Sequence, residues 1–325
     1  MSFSENLLQL KKQAMAQAGP MFAHIDSIAE ANTLKVLDAM RECQVSEAHF
    51  NTTSGYAYDD IGRSKIEELF AKVFGAERAL VRTNFVSGTH ALATVLFGIL
   101  RPGDKLVSIT GAPYDTMQTV IGYANESPGS LKEFGVLYDE LEMIDGKVDM
   151  AGIAGKITPD TKMVLIQRSR GYSMRNPLTI EEIGAICQEV KKVKPDCICF
   201  VDNCYGEFVD TQEPVQAGAD IMAGSLIKNP GGGVALTGGY IAGKSDLVEL
   251  CSYRLTAPGM GDELGASLAN NRMIFQGFFL APHVVAQAIK GAVFAAALFA
   301  LLGYKTLPLP TDVRGDIIQA IQLDT

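Results

Sequence analysis

From Arg78 onward the chain alternates short runs with apolar centres and longer amphipathic stretches, a pattern that few folds accept. The short runs are "RALVRTNF", "KLVSIT", "KMVLIQRS", "CICFVDN" and "ADIMAGSLIK". Each is strand-like and shows no polar alternation, which predicts strands buried on both faces. Between them, "SGTHALATVLFGIL" and "TIEEIGAICQEVKKV" carry apolar residues at helical spacing. Together they predict the α/β class, a mainly parallel sheet sandwiched by helices. Ligands of such sheets sit beyond the carboxyl ends of the strands. The residues that end each run are therefore the functional candidates.

The flanking segments define three parts. Residues 1–50 read as an N-terminal helical arm of two helices, "SENLLQLKKQAMAQAG" and "HIDSIAEANTLKVLDAMREC". Residues 51–257 hold the large α/β domain, which opens with the loop "NTTSGYAYDDIGR" and the helix "SKIEELFAKVFG". A Gly/Pro hinge, "LTAPGMGDELGAS", starts at Leu255, and residues 258–325 read as the start of a smaller C-terminal α+β domain. Its most apolar part, Gly291 to Tyr304, is shorter than the roughly 20 residues of a membrane span and predicts a buried helix.

Composition removes several function classes. A net charge of −9 over 325 residues disfavours general nucleic-acid binding. The N-terminus lacks the basic and apolar regions of a signal peptide, and a cytoplasmic location is expected. The six cysteines form no CxxC pair and the four histidines have no metal-ligand spacing, so reduced thiols and no metal are expected.

Asp202 ends "CICFVD", where it is either a turn carboxylate or an acid aimed into the crevice. Lys228 ends the next run, either as a solvated turn lysine or as a desolvated amine able to form a Schiff base. An acid and a lysine on consecutive strand ends are what pyridoxal 5′-phosphate requires. The phosphate needs a cradle, and Ser87, Gly88 and Thr89 stand at a strand-to-helix turn that is otherwise an ordinary N-cap. Ser225 adds a hydroxyl, Tyr114 could stack on the cofactor ring, and Arg168 and Ser169 would lie near its phenolic oxygen. A competing motif, "GGYIAGKS", matches the nucleotide-binding P-loop through Lys244, but its central residues are strand-like. The glycines of "GGGVALTGG" suit a hairpin better than a dinucleotide loop.

"VSGTHA", "PYDT", "FVDN" and "GADIMAGSLIKNPGGG", in that order, make the chain resemble fold-type-I pyridoxal-phosphate enzymes of cysteine and methionine metabolism. "HFNTTSGYAYDDIGR", "IQRSRGYSMR" and "QGFFLAPHVVAQAIKGAVFAAALF" are similar to the methionine gamma-lyase and cystathionine beta-lyase-like branch associated with aluminium resistance. The resemblance implies a carbon–sulfur lyase acting on a small amino-acid substrate. Lys228 would then be the Schiff-base lysine, Asp202 the pyridinium partner and Tyr114 the stacking residue. Ser87, Gly88, Thr89 and Ser225 would hold the phosphate. It further implies a homodimer or homotetramer in which Tyr56 or Tyr58, and Arg63, complete the phosphate clamp across the interface.

The chain departs from the broader family in reading Tyr58-Asp59-Asp60 in place of Tyr-Ser-Arg, and Ile227 in place of threonine. Members of this branch continue past the equivalent of Thr325, which implies a C-terminal domain broken off and apolar helix surface left uncovered. The arginine for the substrate carboxylate is then absent or replaced by Arg168, Arg170 or Arg175.

Overall fold

The alternating pattern closes into one seven-stranded sheet in a computed structural model that describes residues 4–124, 127–171 and 173–323. The first half contains α1 (Glu5–Glu42), α2 (Ile61–Phe74), β1 (Arg78–Arg82), α3 (Gly88–Ile99), β2 (Lys105–Ser108), α4 (Asp115–Ile121) and β3 (Leu137–Glu140). A small hairpin, β4 (Met143–Ile144) and β5 (Lys147–Val148), and the short α5 (Ile153–Lys156) follow. Next come β6 (Thr161–Gln167), α6 (Ile180–Val193), β7 (Ile198–Asp202), β8 (Ile221–Ser225), β9 (Gly239–Gly243) and α7 (Ser245–Leu255). The long α8 (Asn271–Leu301) and a second hairpin, β10 (Lys305–Leu307) with β11 (Ala320–Gln322), end the order.

The sheet order is β1-β9-β8-β7-β6-β2-β3. Strands β3, β2, β6, β7 and β8 are parallel, while β9 runs antiparallel between β8 and β1. Side chains of a strand point alternately to opposite faces, and here both faces are covered. Val164, Ile166, Cys199, Val201 and Met222 join one apolar cluster. Met163, Leu165, Ile198, Phe200 and Ile221 join the other, under α3 and α7. This is the parallel, doubly covered sheet that the apolar runs predict.

Two local expectations are corrected. The arm is one 38-residue helix, not two, with Pro20 in its interior. Proline removes one helical hydrogen bond, but α1 packs along α8, which braces the helix through the defect. The apolar segment from Gly291 falls in the second half of α8, whose 31 residues are long and apolar enough to cross a membrane by length and composition. Its inner face, including Ile274, Phe278, Val285, Ile289 and Val293, is nevertheless buried against the core. Between Gly233 and Gly238 the chain turns without forming the expected hairpin strand.

Where α8 meets α2 and the sheet, Phe278 stacks on Phe70 at a centroid distance of 3.8 Å and meets Phe74 edge-on at 5.6 Å. Phe208 and Tyr240 complete the cluster. Removing so large a buried ring leaves a cavity that rigid neighbours cannot fill. Phe278→Ala is expected to lower unfolding free energy by about 3–5 kcal/mol in a denaturant titration.

Beside this cluster lies a buried polar network. Arg168 has no exposed surface; its Nη1 donates to Asn203 Oδ1 at 2.8 Å and stands 3.7 Å from Glu213. Asn203 Nδ2 donates to Glu213 at 2.9 Å and to Tyr240 Oη at 3.2 Å. Tyr240 in turn donates to Glu207 Oε1 at 2.8 Å. Gly224 makes room for this group, because a Cβ there would lie 2.5 Å from Glu207 Oε1.

Burial pushes the Glu207 carboxyl up to about 8, so the folded protein keeps a proton there at neutral pH. The unfolded chain releases that proton near the ordinary carboxylate value, so Glu207 makes stability fall as pH rises between that value and about 8. Glu207→Gln, which mimics the protonated acid, is expected to lose this component. Thermal melts between about pH 5 and 9 should show the variant gaining on the parent as pH rises, with the gain levelling off above about pH 8.

Candidate functional site

Parallel strands β6, β7 and β8 end on the same edge of the sheet. The register sets Gln167 beside Asp202, and Asp202 beside Ala223. Three residues beyond β8, Lys228 caps a single 3-10 turn, Asn229–Gly231, in which Pro230 supplies a preset φ. Asn229 Nδ2 ties that turn to the Glu207 carbonyl at 2.9 Å. The run "SLIK" thus lifts Lys228 off the strand and back over the end of β7.

Asp202 is buried, and its Oδ1 accepts from the Cys204 N–H at 3.1 Å. Burial raises its carboxyl above the ordinary value, opposed by the Lys228 charge. Burial by itself pulls the Lys228 amine down, as its apolar surroundings predict. Cys204, Asp202 and Tyr205 nevertheless outweigh it, and the amine stands above the ordinary lysine value. Cys204 is itself held well above the usual thiol range, mainly by burial. The expected lowering at Lys228 is therefore reversed by the groups that stand at the end of β7. Lys228 Nζ also stands over the Tyr205 ring, 3.8 Å from its centroid.

The turn into α3 closes the other side of the crevice. Ser87 caps the helix, its Oγ accepting from the His90 N–H at 3.1 Å. Gly88 packs tightly here, since a Cβ would lie 3.2 Å from Ser225 Cβ and 3.3 Å from Cys204 Sγ. The Ser225 hydroxyl is buried at this contact with no partner of its own. Thr89 Oγ1 and Tyr114 Oη share a hydrogen bond of 3.0 Å, and the Tyr114 N–H donates to Gln167 Oε1 at 3.1 Å. Burial raises the Tyr114 phenol, with Asp202 adding to it. Lys228, Asp202, Tyr114, Ser225 and the residues Ser87 to Thr89 thus converge on one crevice.

Other candidates go elsewhere. Ser169 Oγ donates to Asp316 Oδ2 at 2.7 Å, and Arg168 lies in the buried network, so Gln167 holds the strand-end position beside Asp202. Arg63 turns inward: Nη1 donates to the Ala57 and Gly265 carbonyls, and Nη2 to that of Glu263 at 2.8 Å. Carbonyls thus occupy Nη1 and Nη2, while Nε is buried without a partner, and these bonds fix the loop bearing Tyr56 and Tyr58. Those two rings are 73% and 56% exposed, with centroids 6.0 Å apart. Lys244 follows β9 and pairs with Asp220 at 2.6 Å. The middle of "GGYIAGKS" is β9 itself, bonded to strands on both sides, so it has no loop amides to wrap a phosphate. This overturns the nucleotide-binding alternative.

Next to Tyr114 opens a cavity of about 490 Å³, whose lining includes Gln167, Met143, Met174, Arg170 and Arg175. Arg175 Nη2 donates to the Gln167 and Ser169 carbonyls at 2.7 Å each, and Arg170 Nη1 to the Leu307 carbonyl at 2.6 Å. Among the described residues, neither arginine forms an ion pair. Gln167, Cys204 and Tyr205 escape the sequence reading. The first could have been found from the rule of strand ends; the others stand in a turn whose direction has no local signature.

Known proteins share this arrangement of chain. The family profile described as methionine gamma-lyase matches residues 7–325. The uncharacterised protein YnbB of Bacillus subtilis is 49% identical over 318 residues, which cover 96% of this chain and 76% of that protein. The solved structure of a carbon–sulfur lyase involved in aluminum resistance, from Clostridium novyi NT, superposes with a TM-score of 0.96. It is 47% identical, and the match covers 99% of this chain and 77% of that one. The L-methionine gamma-lyase of Pseudomonas deceptionensis is 25% identical over 219 residues, covering 66% of this chain and 49% of that protein. With a profile match that runs to residue 325 and a likeness in structure over nearly every residue, this chain belongs to the methionine gamma-lyase family.

Proposed function

We propose that the protein is a pyridoxal-phosphate-dependent carbon–sulfur lyase that eliminates a thiol from a sulfur-containing amino acid, leaving a 2-oxo acid and ammonia. The observation that carries this reading is the convergence of Lys228 and Asp202 with the unpartnered Ser225 hydroxyl at the N-terminus of α3. The donors in that corner fit a phosphate: a spare buried hydroxyl, the first amides of a helix, and a glycine that lets the backbone come close. When bound, the cofactor supplies an electron-accepting ring that acidifies the α-hydrogen of an amino acid.

In this reading Lys228 would hold the cofactor aldehyde, and its Nζ would take the α-proton of the amino acid. Asp202 would pair with the ring nitrogen, and its burial would strengthen that interaction by excluding water. Tyr114, oriented by Thr89 and Gln167, would supply the stacking surface. The amino acid occupies the adjoining cavity, where Met143 and Met174 offer soft, apolar contact to a thioether. Arg170 and Arg175 supply positive charge for its carboxylate. A second copy of the chain would bring Tyr56 or Tyr58 to the phosphate; the exposure of both rings, on a loop held by Arg63, supports this role.

The purified protein with added cofactor should be yellow and keep its colour through dialysis, and Lys228→Ala should lose it. With methionine, cystathionine or cysteine, thiol and 2-oxo acid should appear together, and Lys228→Ala should be slower by about 10²–10⁴-fold. A colourless parent protein, or colour without either product from all three amino acids, sinks the proposal. Ser225→Ala should weaken cofactor retention by roughly 5- to 30-fold, measured by equilibrium dialysis, the loss of about one to two kcal/mol of hydrogen bonding.

A further inference from the structure

Tyr205 stands in a conformation that its residue type disfavours. The Gly206 N–H donates to the Asn203 carbonyl at 2.9 Å, which closes a four-residue turn directly after β7. Tyr205, the third residue of that turn, has a φ of +71°. Glycine or asparagine is the usual occupant of such a position, and a bulky side chain there is strained. The glycine of this turn is one residue later, at 206, where its missing Cβ leaves space for the Arg168 side chain. The left-handed backbone throws the tyrosine ring outward beneath the lysine, so that Lys228 Nζ lies 3.8 Å from its centroid.

A desolvated cation over an aromatic face is an attractive contact. The other groups facing the amine are Asp202 and the Cys204 thiol from the end of β7, the Tyr114 phenol from α4, and the buried Glu207 carboxyl from the same loop. Of these, Asp202 is the group assigned to the cofactor nitrogen, which leaves the Tyr205 ring and the Cys204 thiol against the amine when the cofactor is in place.

We propose that Tyr205 is a positioning residue for Lys228, its ring being the surface on which the amine rests as a cation whenever it carries no covalent partner. The contact is independent of the lyase reading, but its consequence in turnover rests on it: the ring favours the ammonium formed when Lys228 takes a proton. Strain in the turn is then the condition for aiming the ring.

The test compares Tyr205→Phe, which keeps the face, with Tyr205→Leu, which keeps bulk and strain but has no π face. Tyr205→Asn removes the ring and tolerates the left-handed backbone, so one ring-less variant folds even if leucine does not. The first readout is cofactor capture by the cofactor-free full chain at about pH 7.5. Here the neutral amine forms a C=N bond to the aldehyde and water is lost, and growth of colour reports the rate without turnover. Tyr205→Phe should match the parent, while the Leu and Asn variants should capture about 3- to 30-fold faster, because less of the amine is held as ammonium. The second is the kcat–pH profile, whose acid limb should move down by about 0.4 to 1.5 pH units in Leu and Asn but not in Phe.

Equal capture rates in all four proteins overturn the proposal, and so does a Phe variant that behaves like Leu, which would assign the effect to the hydroxyl. A parent chain that captures no cofactor at all instead refutes the proposed function.

Discussion

Arg168 is the buried charge around which the site is assembled. It stands just past the end of β6 with no exposed surface, and the segment from Asn203 to Glu213 wraps it. A guanidinium so placed needs partners in fixed directions, because an unpaired buried charge is very costly. Asn203 and Glu213 provide them at Nη1 from either end of that segment, Gly206 lies against the side chain, and Nε and Nη2 have no hydrogen-bond partner. Everything that the loop carries is thereby oriented: Cys204 beside Asp202, Tyr205 beneath Lys228, and Glu207 against Tyr240.

Two opposing effects set the charge state of the crevice. Removing Lys228 and Asp202 from water disfavours both charges, yet each supplies the counter-charge that the other requires. Apolar walls therefore do not make Lys228 a free amine by themselves. Its neutral form becomes accessible only as Asp202 is drawn to another cation, which is what a protonated ring nitrogen offers in the proposed chemistry. Within this arrangement, the side chains that surround the pair matter as much as the pair.

Much of the fold was legible because burial on both faces leaves a mark on composition. The runs at Val164, Val201 and Met222 are apolar without alternation, and only a covered sheet explains that. Boundaries were less legible. The arm reads as two helices on either side of a stretch that holds Pro20, but packing against α8 carries α1 straight through it. The rule of strand ends found Asp202 and Lys228. It mistook Ser169 and Arg168 for crevice residues because the turn after Gln167 sends one to Asp316 and the other into the network. Nor has the inward turn of Arg63 a local signature: its two terminal nitrogens donate to carbonyls of its own chain, some of them two hundred residues away.

By itself the sequence determined the class of fold and that a lysine and an acid stand at the carboxyl ends of neighbouring strands, since these follow from local periodicity and from which residue ends each run. Tertiary structure decided the protonation of that lysine and the company it keeps. It also decided which arginines face the cavity and that "GGYIAGKS" is a strand instead of a phosphate loop. Those outcomes depend on contacts between segments far apart in the chain and on the sign of one turn's φ, neither of which has a local signature.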